Sequence, residues 1–172
     1  KVEYPNYKSD SSALVKMYLN GDFGKNANDV NAYISSTFYA VDRYASYKTE
    51  WEDFYNNEGI ILADRYTTSN MIHQASKIHD KVERQKFLDW LENLEFSIYG
   101  LPRPDSVIFI NMPPEYSREL MKNRENKITG KAKKDIHESD FKYLVESYNS
   151  AIEIATAYQW VIIDCVRQGA LR

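Results

Sequence analysis

Three short aliphatic runs stand out along an otherwise largely polar chain, at residues 60–63, 107–111 and 161–163. They show little alternation between apolar and polar positions, which is typical of strands covered on both faces in a parallel sheet. Longer segments with the helical spacing of apolar residues lie between them. The pattern therefore predicts an α/β protein whose strands are joined by right-handed crossovers.

Capping residues help to place the predicted helices. Asn28 has the character of an N-cap for a helix over 29–46, while Gly21 and Gly59 end helices over 11–20 and 48–57. The remaining predicted helices span residues 69–77, 80–99, 114–124 and 138–158.

The helix over 29–46 has two contrasting sides. At 100° per residue, one stripe is expected to face the core, and it comprises Val30, Tyr33, Ile34, Thr37, Val41 and Tyr44. Tyr39 and Arg43 project from the opposite side among small residues, so we expect an open surface there. An aromatic ring one turn from a guanidinium can stack on a flat heterocycle while the arginine bonds its carbonyl edge. The alternative is an ordinary solvated i,i+4 pair.

The run at 60–63 stops abruptly at Asp64 and Arg65. In open α/β sheets, ligands bind beyond the carboxyl ends of the strands. Arg65 is suited to hold a phosphate there, and Asp64 to orient it or to organise a hydrated cation. A surface ion pair between the two side chains is the alternative. Just downstream, Ser69, Asn70, His73 and Gln74 offer groups that can read a base edge, although Ser69 also suits a helix cap and a lone His73 a core position.

A basic segment lies between the last two predicted helices. Its cations are Lys122, Arg124, Lys127, Lys131, Lys133 and Lys134, and acidic residues follow them. Such a loop beside a nucleotide site can close over phosphates and exclude water. The alternative is a solvated charged loop.

Composition narrows the class of protein. A chain of 172 residues with 43% hydrophobic content can bury a full core, and neither repeats nor linkers divide it, so one domain over 1–172 is expected. The net charge of -3 argues against extended nucleic-acid or anionic-membrane surfaces. Cys165 cannot form an internal disulfide, and no apolar run is long enough for a membrane span. We expect a cytoplasmic protein.

Five motifs together resemble thymidylate kinase over nearly the whole chain. In chain order they are YPNY (4–7), YAVDR (39–43), DRYTTSN (64–70), GLPRPD (100–105) and DIHE (135–138). The resemblance implies a P-loop NTPase-like three-layer α/β sandwich with a parallel sheet, an acceptor-binding core and a lid over about 122–138. It also implies a homodimer that uses Mg²⁺ and transfers the γ-phosphoryl of ATP to dTMP, giving dTDP and ADP.

The resemblance also implies roles for individual residues at the base and phosphate ends of dTMP. Tyr39 takes the place of the thymine-stacking residue and Arg43 that of the arginine on the base carbonyl. Arg65 resembles the arginine that holds the 5′-phosphate, with Asp64 near the metal and phosphates. Other positions that match the acceptor site are Tyr4, Pro5, Tyr7, Asn70, His73 and Gln74.

Three further roles fall in the lid. Glu138 corresponds to a glutamate near the metal, and His137 stands where many relatives have tyrosine. Because Ile136 occupies the position of a lid arginine, Arg124 or a neighbouring lysine is the candidate cation for the transferring phosphoryl group.

The sequence also departs from the family pattern. It contains no G-x-x-x-x-G-K-[ST] motif, residues 1–4 resemble the end of the second strand, and residues 168–172 stop where relatives continue into a helix. The chain is then either a segment of a longer enzyme or a reduced homologue, and we predict little turnover for these 172 residues alone. Deoxynucleoside kinase and a non-catalytic nucleotide-binding or dimerisation module are the alternatives.

Overall fold

The computed structural model describes residues 1–121 and 141–172. Seven helices occur in these ranges: α1 (Ala13–Asn20), α2 (Ala32–Ser46), α3 (Glu52–Asn56), α4 (Thr67–His73), α5 (Lys81–Glu92), α6 (Pro114–Met121) and α7 (Phe141–Ala157). The predicted lid, with Arg124, His137 and Glu138, lies outside the described residues, as do residues 122–124 and 138–140 of two predicted helices. No helix of the described ranges combines the length and apolar character needed to cross a membrane.

Six short strands accompany the helices: β1 (Val2–Glu3), β2 (Ala63–Asp64), β3 (Ile108–Asn111), β4 (Val161–Asp164), β5 (Val166–Arg167) and β6 (Ala170–Leu171). β1 pairs in parallel with β2, and β3 pairs in parallel with β4. β5 and β6 form an antiparallel hairpin that the sequence patterns did not predict. Its turn residues Gln168 and Gly169 both have positive φ, as the tight turn of a two-residue hairpin requires.

Each of the three runs contributes to a strand, although β2 contains only Ala63 of the run 60–63. The expectation that both faces are covered is wrong for the described residues. Ile108 and Ile110 of β3 are 58% and 55% exposed, and Ile162 of β4 is 41% exposed. β1–β2 and β3–β4 form separate two-stranded sheets, and pairing between strands covers their edges rather than their faces. The described helices do not close over the second pair.

Helix boundaries follow local capping chemistry. α1 ends as predicted at Gly21, whose φ of 79° places it in the left-handed region. The predicted cap Asn28 is wrong, because a short turn over Ala27–Asp29 intervenes and Asn31 caps α2 by accepting from the Ile34 amide. Asp80 caps α5 by accepting from two amides of its first turn.

Three other helical predictions are resolved into shorter pieces. The segment 48–57 is a π-helical turn over Tyr47–Trp51 followed by α3. The segment 69–77 begins two residues earlier, as α4, and ends in a 3₁₀ turn over Ala75–Lys77. The segment 80–99 is α5 continued by a π-helical stretch over Asn93–Ile98.

The orientation of α2 reverses the prediction. Ile34 and Tyr44 of the supposed core stripe are 49% and 41% exposed, whereas Tyr39 and Arg43 are 8% and 2% exposed. Small residues explain the reversal: α4 and the loop over 5–12 approach the Ser35–Ser36 side of α2 closely and form hydrogen bonds with it. Only Val30, which precedes the helix, is buried as expected. The helix therefore turns its small and polar side inward.

Candidate functional site

The chain turns sharply at the end of β2. Arg65 has φ of 66°, a left-handed conformation that costs a non-glycine residue about 1 kcal/mol or more, and it directs the backbone into α4. The Arg65 Nε donates to Ser69 Oγ at 3.1 Å, and the side chain is exposed. Asp64 lies 3.6 Å from Lys1 Nζ and is half exposed. The two neighbours therefore have different partners, and the alternative of an ion pair between them is not observed.

Arg43, unlike the exposed Arg65, is almost fully shielded from solvent. Its side chain is 2% exposed, and the guanidinium forms a two-point ion pair with Glu95, whose side chain is fully buried. The Nε donates to Glu95 Oε2 at 2.7 Å, while Nη2 donates to Oε1. A buried pair with this geometry fixes the guanidinium plane, and removing one partner leaves a charge that burial strongly disfavours. The expectation of an open surface around Arg43 is therefore wrong.

Glu95 is a site residue that the sequence interpretation missed. It lies in the π-helical stretch after α5, four residues beyond Leu91 and seven beyond Leu88, which are both buried. A carboxylate that continues an apolar stripe in this way is expected to be buried with a cationic partner. The signal was present in the sequence, but it does not say which arginine is that partner.

Tyr39 is part of the hydrophobic core. Its ring contacts Tyr18 edge to face, with centroids 6.4 Å apart and planes at 87°. Val15, Leu19 and Val30 complete the same cluster, and the partly buried Tyr7 packs against it. A base that stacks on Tyr39 therefore meets a ring whose position the fold already fixes.

Asn70 and Gln74 project from α4 onto α2 and are both buried. Asn70 Nδ2 donates to the Ser36 carbonyl at 3.2 Å, and Ser35 Oγ donates to Gln74 Oε1 at 2.6 Å. These bonds use one polar atom of each amide and set its orientation, because the oxygen and nitrogen sides are no longer interchangeable. The amides thus stand on the Arg43 side of α2.

His73 is held neutral. Burial, followed by the charges of Arg65 and Lys77, lowers its pKa to about 3. Its ring stacks on Tyr143 of α7 at 6.3 Å, and Tyr143 Oη donates to the His73 carbonyl. At neutral pH, His73 offers a packing surface rather than a charge.

The loop that carries the YPNY motif is anchored on α2 by Asp42, a second residue without an assigned role in the sequence interpretation. The buried Asp42 carboxylate accepts from the Asn6 amide at 2.8 Å and from Ser11 Oγ at 2.6 Å. Tyr4 precedes a cis peptide bond to Pro5, and its hydroxyl accepts from Trp51 Nε1 at 3.0 Å. Tyr4 and Pro5 are thus buried structural residues, while Tyr7 remains at the edge of the site.

Lys77, three residues after Gln74, also contacts this region. Its Nζ donates to Tyr18 Oη and to the Val30 carbonyl, both at 2.9 Å. Burial lowers the pKa of Lys77 to about 7. The sequence interpretation gave it no role, since nothing in its spacing separates it from a surface lysine.

Two sets of predicted site residues emerge from this geometry. Tyr39, Arg43, Asn70 and Gln74 are brought together where α2 meets α4, whereas Asp64 and Arg65 stand exposed at the start of α4. Among residues 1–121 and 141–172, no cluster of three or more His, Cys, Asp or Glu side chains is arranged to hold a metal ion. A cation here would have Asp64 as its one predicted ligand among the described residues.

Comparison with known proteins shows similarity to thymidylate kinases. Over 140 residues, 81% of this chain, it is 28% identical to the thymidylate kinases of Mycobacterium tuberculosis strains CDC 1551 / Oshkosh and ATCC 25618 / H37Rv. The match spans 63% of those relatives' length. No family model matches the chain.

The fold is that of a solved thymidylate kinase. The Candida albicans enzyme superposes with a TM-score of 0.61 at 18% identity, over 95% of this chain and 70% of that one. The predicted P-loop NTPase-like fold with a parallel sheet is therefore confirmed. The resemblance to thymidylate kinase found in the motifs is confirmed by sequence similarity as well.

Proposed function

We propose that this protein is a thymidylate kinase, which transfers the γ-phosphoryl group of ATP to dTMP and produces dTDP and ADP. The 28% identity to thymidylate kinases over 140 residues supports the reaction class. The observation that carries the proposal is the exposed Arg65, which lies at the end of a strand and at the start of a helix whose Asn70 is bonded to α2, the helix that carries Arg43. A ligand with a base at one end and a phosphate at the other fits this arrangement, with the base near Arg43 and the phosphate near Arg65.

In this proposal the two ends of dTMP meet different chemistry. The base stacks on Tyr39, and its carbonyl edge accepts from Arg43, whose Nη1 lies outside the Glu95 contact. Asn70 reads the same edge, and its Oδ1 lies outside the bond to Ser36. The 5′-phosphate accepts charge-assisted hydrogen bonds from Arg65.

Tyr7, His73 and Gln74 shape the remainder of the acceptor pocket in the proposal. The His73 ring is neutral at physiological pH because its pKa is about 3, so it adds no charge near the sugar. Tyr7 lies where α1 and α2 meet and stands beside the deoxyribose. Tyr4 and Pro5 act through the shape of the loop.

Mg²⁺ and ATP are part of the proposed reaction, and Mg²⁺ would neutralise charge on the phosphates when bound. Mg²⁺ commonly binds with one or two carboxylates together with substrate phosphates. Asp64 fits that role, since it is half exposed beside the proposed phosphate site. Arg124, His137 and Glu138 remain proposed lid residues, within a single domain that also holds the acceptor core.

Calorimetric titration of dTMP and of thymidine tests the acceptor assignment. We expect dTMP to bind more tightly than thymidine, and Arg65→Ala to weaken dTMP about tenfold to a hundredfold while leaving thymidine unchanged, because a charge-assisted hydrogen bond contributes about 1.5–3 kcal/mol. Arg84→Ala is the matched control, since Arg84 pairs with Glu153 away from the site. Equal affinity for thymidine and dTMP would instead favour a nucleoside acceptor.

Turnover is a separate measurement. We expect the 172-residue chain to form little dTDP from ATP and dTMP, because its sequence contains no G-x-x-x-x-G-K-[ST] phosphate cradle. Rapid formation of dTDP by the purified chain would refute that expectation and leave the acceptor assignment intact.

The outer side of α2 supports a proposed homodimer, and a cytoplasmic location is part of the same proposal. Tyr33, Ile34, Val41 and Tyr44 form an apolar side that is 38–49% exposed. Exposed apolar side chains on one helix are typical of an interface between protein chains. Sedimentation of the protein beside its Ile34→Lys variant tests this, and an unchanged monomer in both samples contradicts it.

A further inference from the structure

Lys77 is a partly buried cation to which the proposed reaction gives no role. Its Nζ donates to Tyr18 Oη and to the Val30 carbonyl, both at 2.9 Å, and to Ser35 Oγ at 3.3 Å. An ammonium group carries three donors, and these three partners match them one for one. The charged form of Lys77 is therefore fully bonded, to α1, to the segment before α2 and to α2 itself.

The third partner of Lys77 leads to the proposed nucleotide site. Ser35 Oγ donates to Gln74 Oε1 at 2.6 Å, and it also lies 2.8 Å from the Asn31 carbonyl, the bond that a serine ordinarily forms within its own helix. A hydroxyl group has a single hydrogen to donate. The Ser35 hydrogen therefore points either toward Gln74 or toward the helix backbone.

The charge of Lys77 favours the first of these directions. An ammonium that donates to Ser35 Oγ polarises the hydroxyl, which strengthens its own bond to the next acceptor. The same positive charge attracts the oxygen end of the Gln74 amide. Both effects are strong here because Ser35 is 0% exposed and Gln74 1% exposed, so water screens them little.

The orientation of the Gln74 amide decides what it offers to a ligand. With Oε1 bonded to Ser35, the two N–H donors of Nε2 lie outside that bond. Thymine carries carbonyl oxygens at positions 2 and 4, and both are acceptors. An amide held in this orientation therefore presents the donors that a thymine carbonyl requires.

We propose that Lys77 is a positioning residue for nucleotide binding, which acts through Ser35 to hold the Gln74 amide with its N–H donors toward a carbonyl of the base. This inference rests on the proposed function, since it assumes that the base lies beside α2 and α4. Lys77 itself contacts the relay and not the nucleotide.

The titration of Lys77 makes the relay testable. Burial lowers the pKa of Lys77 to about 7. The titratable groups that face it are Tyr18 of α1 and His73 of α4, and the pKa of His73 is about 3, far from this range. α2 presents Ser35, which does not titrate. As pH rises through 7, Lys77 loses one donor, and the longest of its three bonds, the one to Ser35, is the first expected to be lost.

Calorimetric titration of dTMP between pH 6.5 and 8.5 tests the proposal. We expect the affinity of the unsubstituted protein to fall about tenfold over this range, because a proton lost from Lys77 weakens the relay by up to tenfold per pH unit above its pKa. The phosphate of dTMP loses its second proton near pH 6, so its own charge changes little there.

Lysine variants separate this role from a structural one. Lys77→Met should bind dTMP about tenfold more weakly at pH 6.5, with an affinity that no longer falls as pH rises. Lys77→Arg keeps its charge throughout and should restore binding at both pH values. Lys81→Met, which changes an exposed lysine of α5, is the matched control and should reproduce the unsubstituted profile.

Two further measurements serve where a Lys77 variant fails to fold. Ser35→Ala breaks the relay but retains the lysine, and it should abolish the fall in affinity above pH 7. In the unsubstituted protein without ligand, the NMR signals of the Gln74 side-chain amide should shift with a midpoint near pH 7.

The outcomes distinguish this inference from the proposed function. If dTMP binds equally at pH 6.5 and 8.5 and the Gln74 amide signals do not move, the role of Lys77 is overturned while the proposed function stands. An equal fall in affinity for the unsubstituted protein and Lys77→Met would overturn it as well. If dTMP does not bind at any pH, the proposed function fails and this inference fails with it.

Discussion

The two ends of the proposed nucleotide site differ in how much of their structure is fixed in advance. At the base end, Arg43 is 2% exposed and held by Glu95, and the amides of α4 are bonded to α2. At the phosphate end, Arg65 is exposed and has one described partner, the Ser69 hydroxyl. A neutral heterocycle benefits from pre-oriented donors, whereas a charged phosphate can draw an exposed guanidinium into place. The base end is thus held rigidly, whereas the phosphate end is accessible to solvent.

The largest expected effect lies in the Arg43–Glu95 pair. Glu95→Ala should lower the free energy of unfolding by about 3–5 kcal/mol, because it leaves a buried guanidinium without its counter-charge. Urea denaturation measures this. The double variant Arg43→Met, Glu95→Leu should recover most of the loss, since it removes both charges. A loss below about 1 kcal/mol for Glu95→Ala would contradict a rigid base end.

The next largest effect is expected at Asp42, which anchors the loop that carries the YPNY motif. Asp42→Ala should destabilise the protein by about 2–3 kcal/mol, because a buried carboxylate that accepts from the Asn6 amide and Ser11 is lost. Asp53→Ala, an exposed change in α3, is the control and should fall within about 0.5 kcal/mol. Equal losses of stability in the two variants would contradict the role of Asp42 as the anchor of this loop.

The lowered pKa of His73 predicts that the stability of the protein depends on pH. Its folded pKa is about 3, below the ordinary value of 6.5, so only the unfolded state takes up this proton as pH falls from 6.5 toward 3. Stability should therefore fall with decreasing pH, by up to about 1.4 kcal/mol per pH unit from this group. His73→Gln should flatten the slope between pH 6.5 and 5, while His79→Gln, at an exposed position, should not. Parallel slopes for the unsubstituted protein and both variants would contradict a neutral His73 in the folded state.

The smallest expected effect concerns backbone strain at Arg65. Arg65→Gly should change the free energy of unfolding by about 1 kcal/mol in the stabilising direction, because glycine tolerates φ of 66°. The same variant should bind dTMP more weakly. Thermal unfolding and calorimetry measure the two effects. A variant that loses both stability and dTMP affinity would mean that Arg65 serves the fold.

The sequence predicted the elements better than their orientation. Helix α5 and the three aliphatic runs were found from the spacing of apolar residues, and the end of α1 from Gly21, which acts through local chemistry. The burial of α2 was predicted on the wrong side, because the apolar stripe dominates its pattern while the contacts of Ser35 come from α4, far along the chain.

Long-range partners explain what else escaped prediction in the site. Glu95 lies 52 residues from Arg43, and no local pattern pairs the two. Asp42 accepts from a loop 31 to 36 residues away. The motifs supplied the positions of Arg43, Arg65 and Asn70, but only tertiary structure separates a buried guanidinium from an exposed one.

The central claim is that one dTMP molecule spans the buried and the exposed ends of this site. Nuclear Overhauser effects from bound dTMP test it most directly. We predict contacts from the thymine methyl group to the Tyr39 ring, and from the 5′-methylene protons to the Arg65 side chain, within the same complex. Contacts of the thymine to residues remote from α2 and α4, with none to Tyr39, would contradict the account.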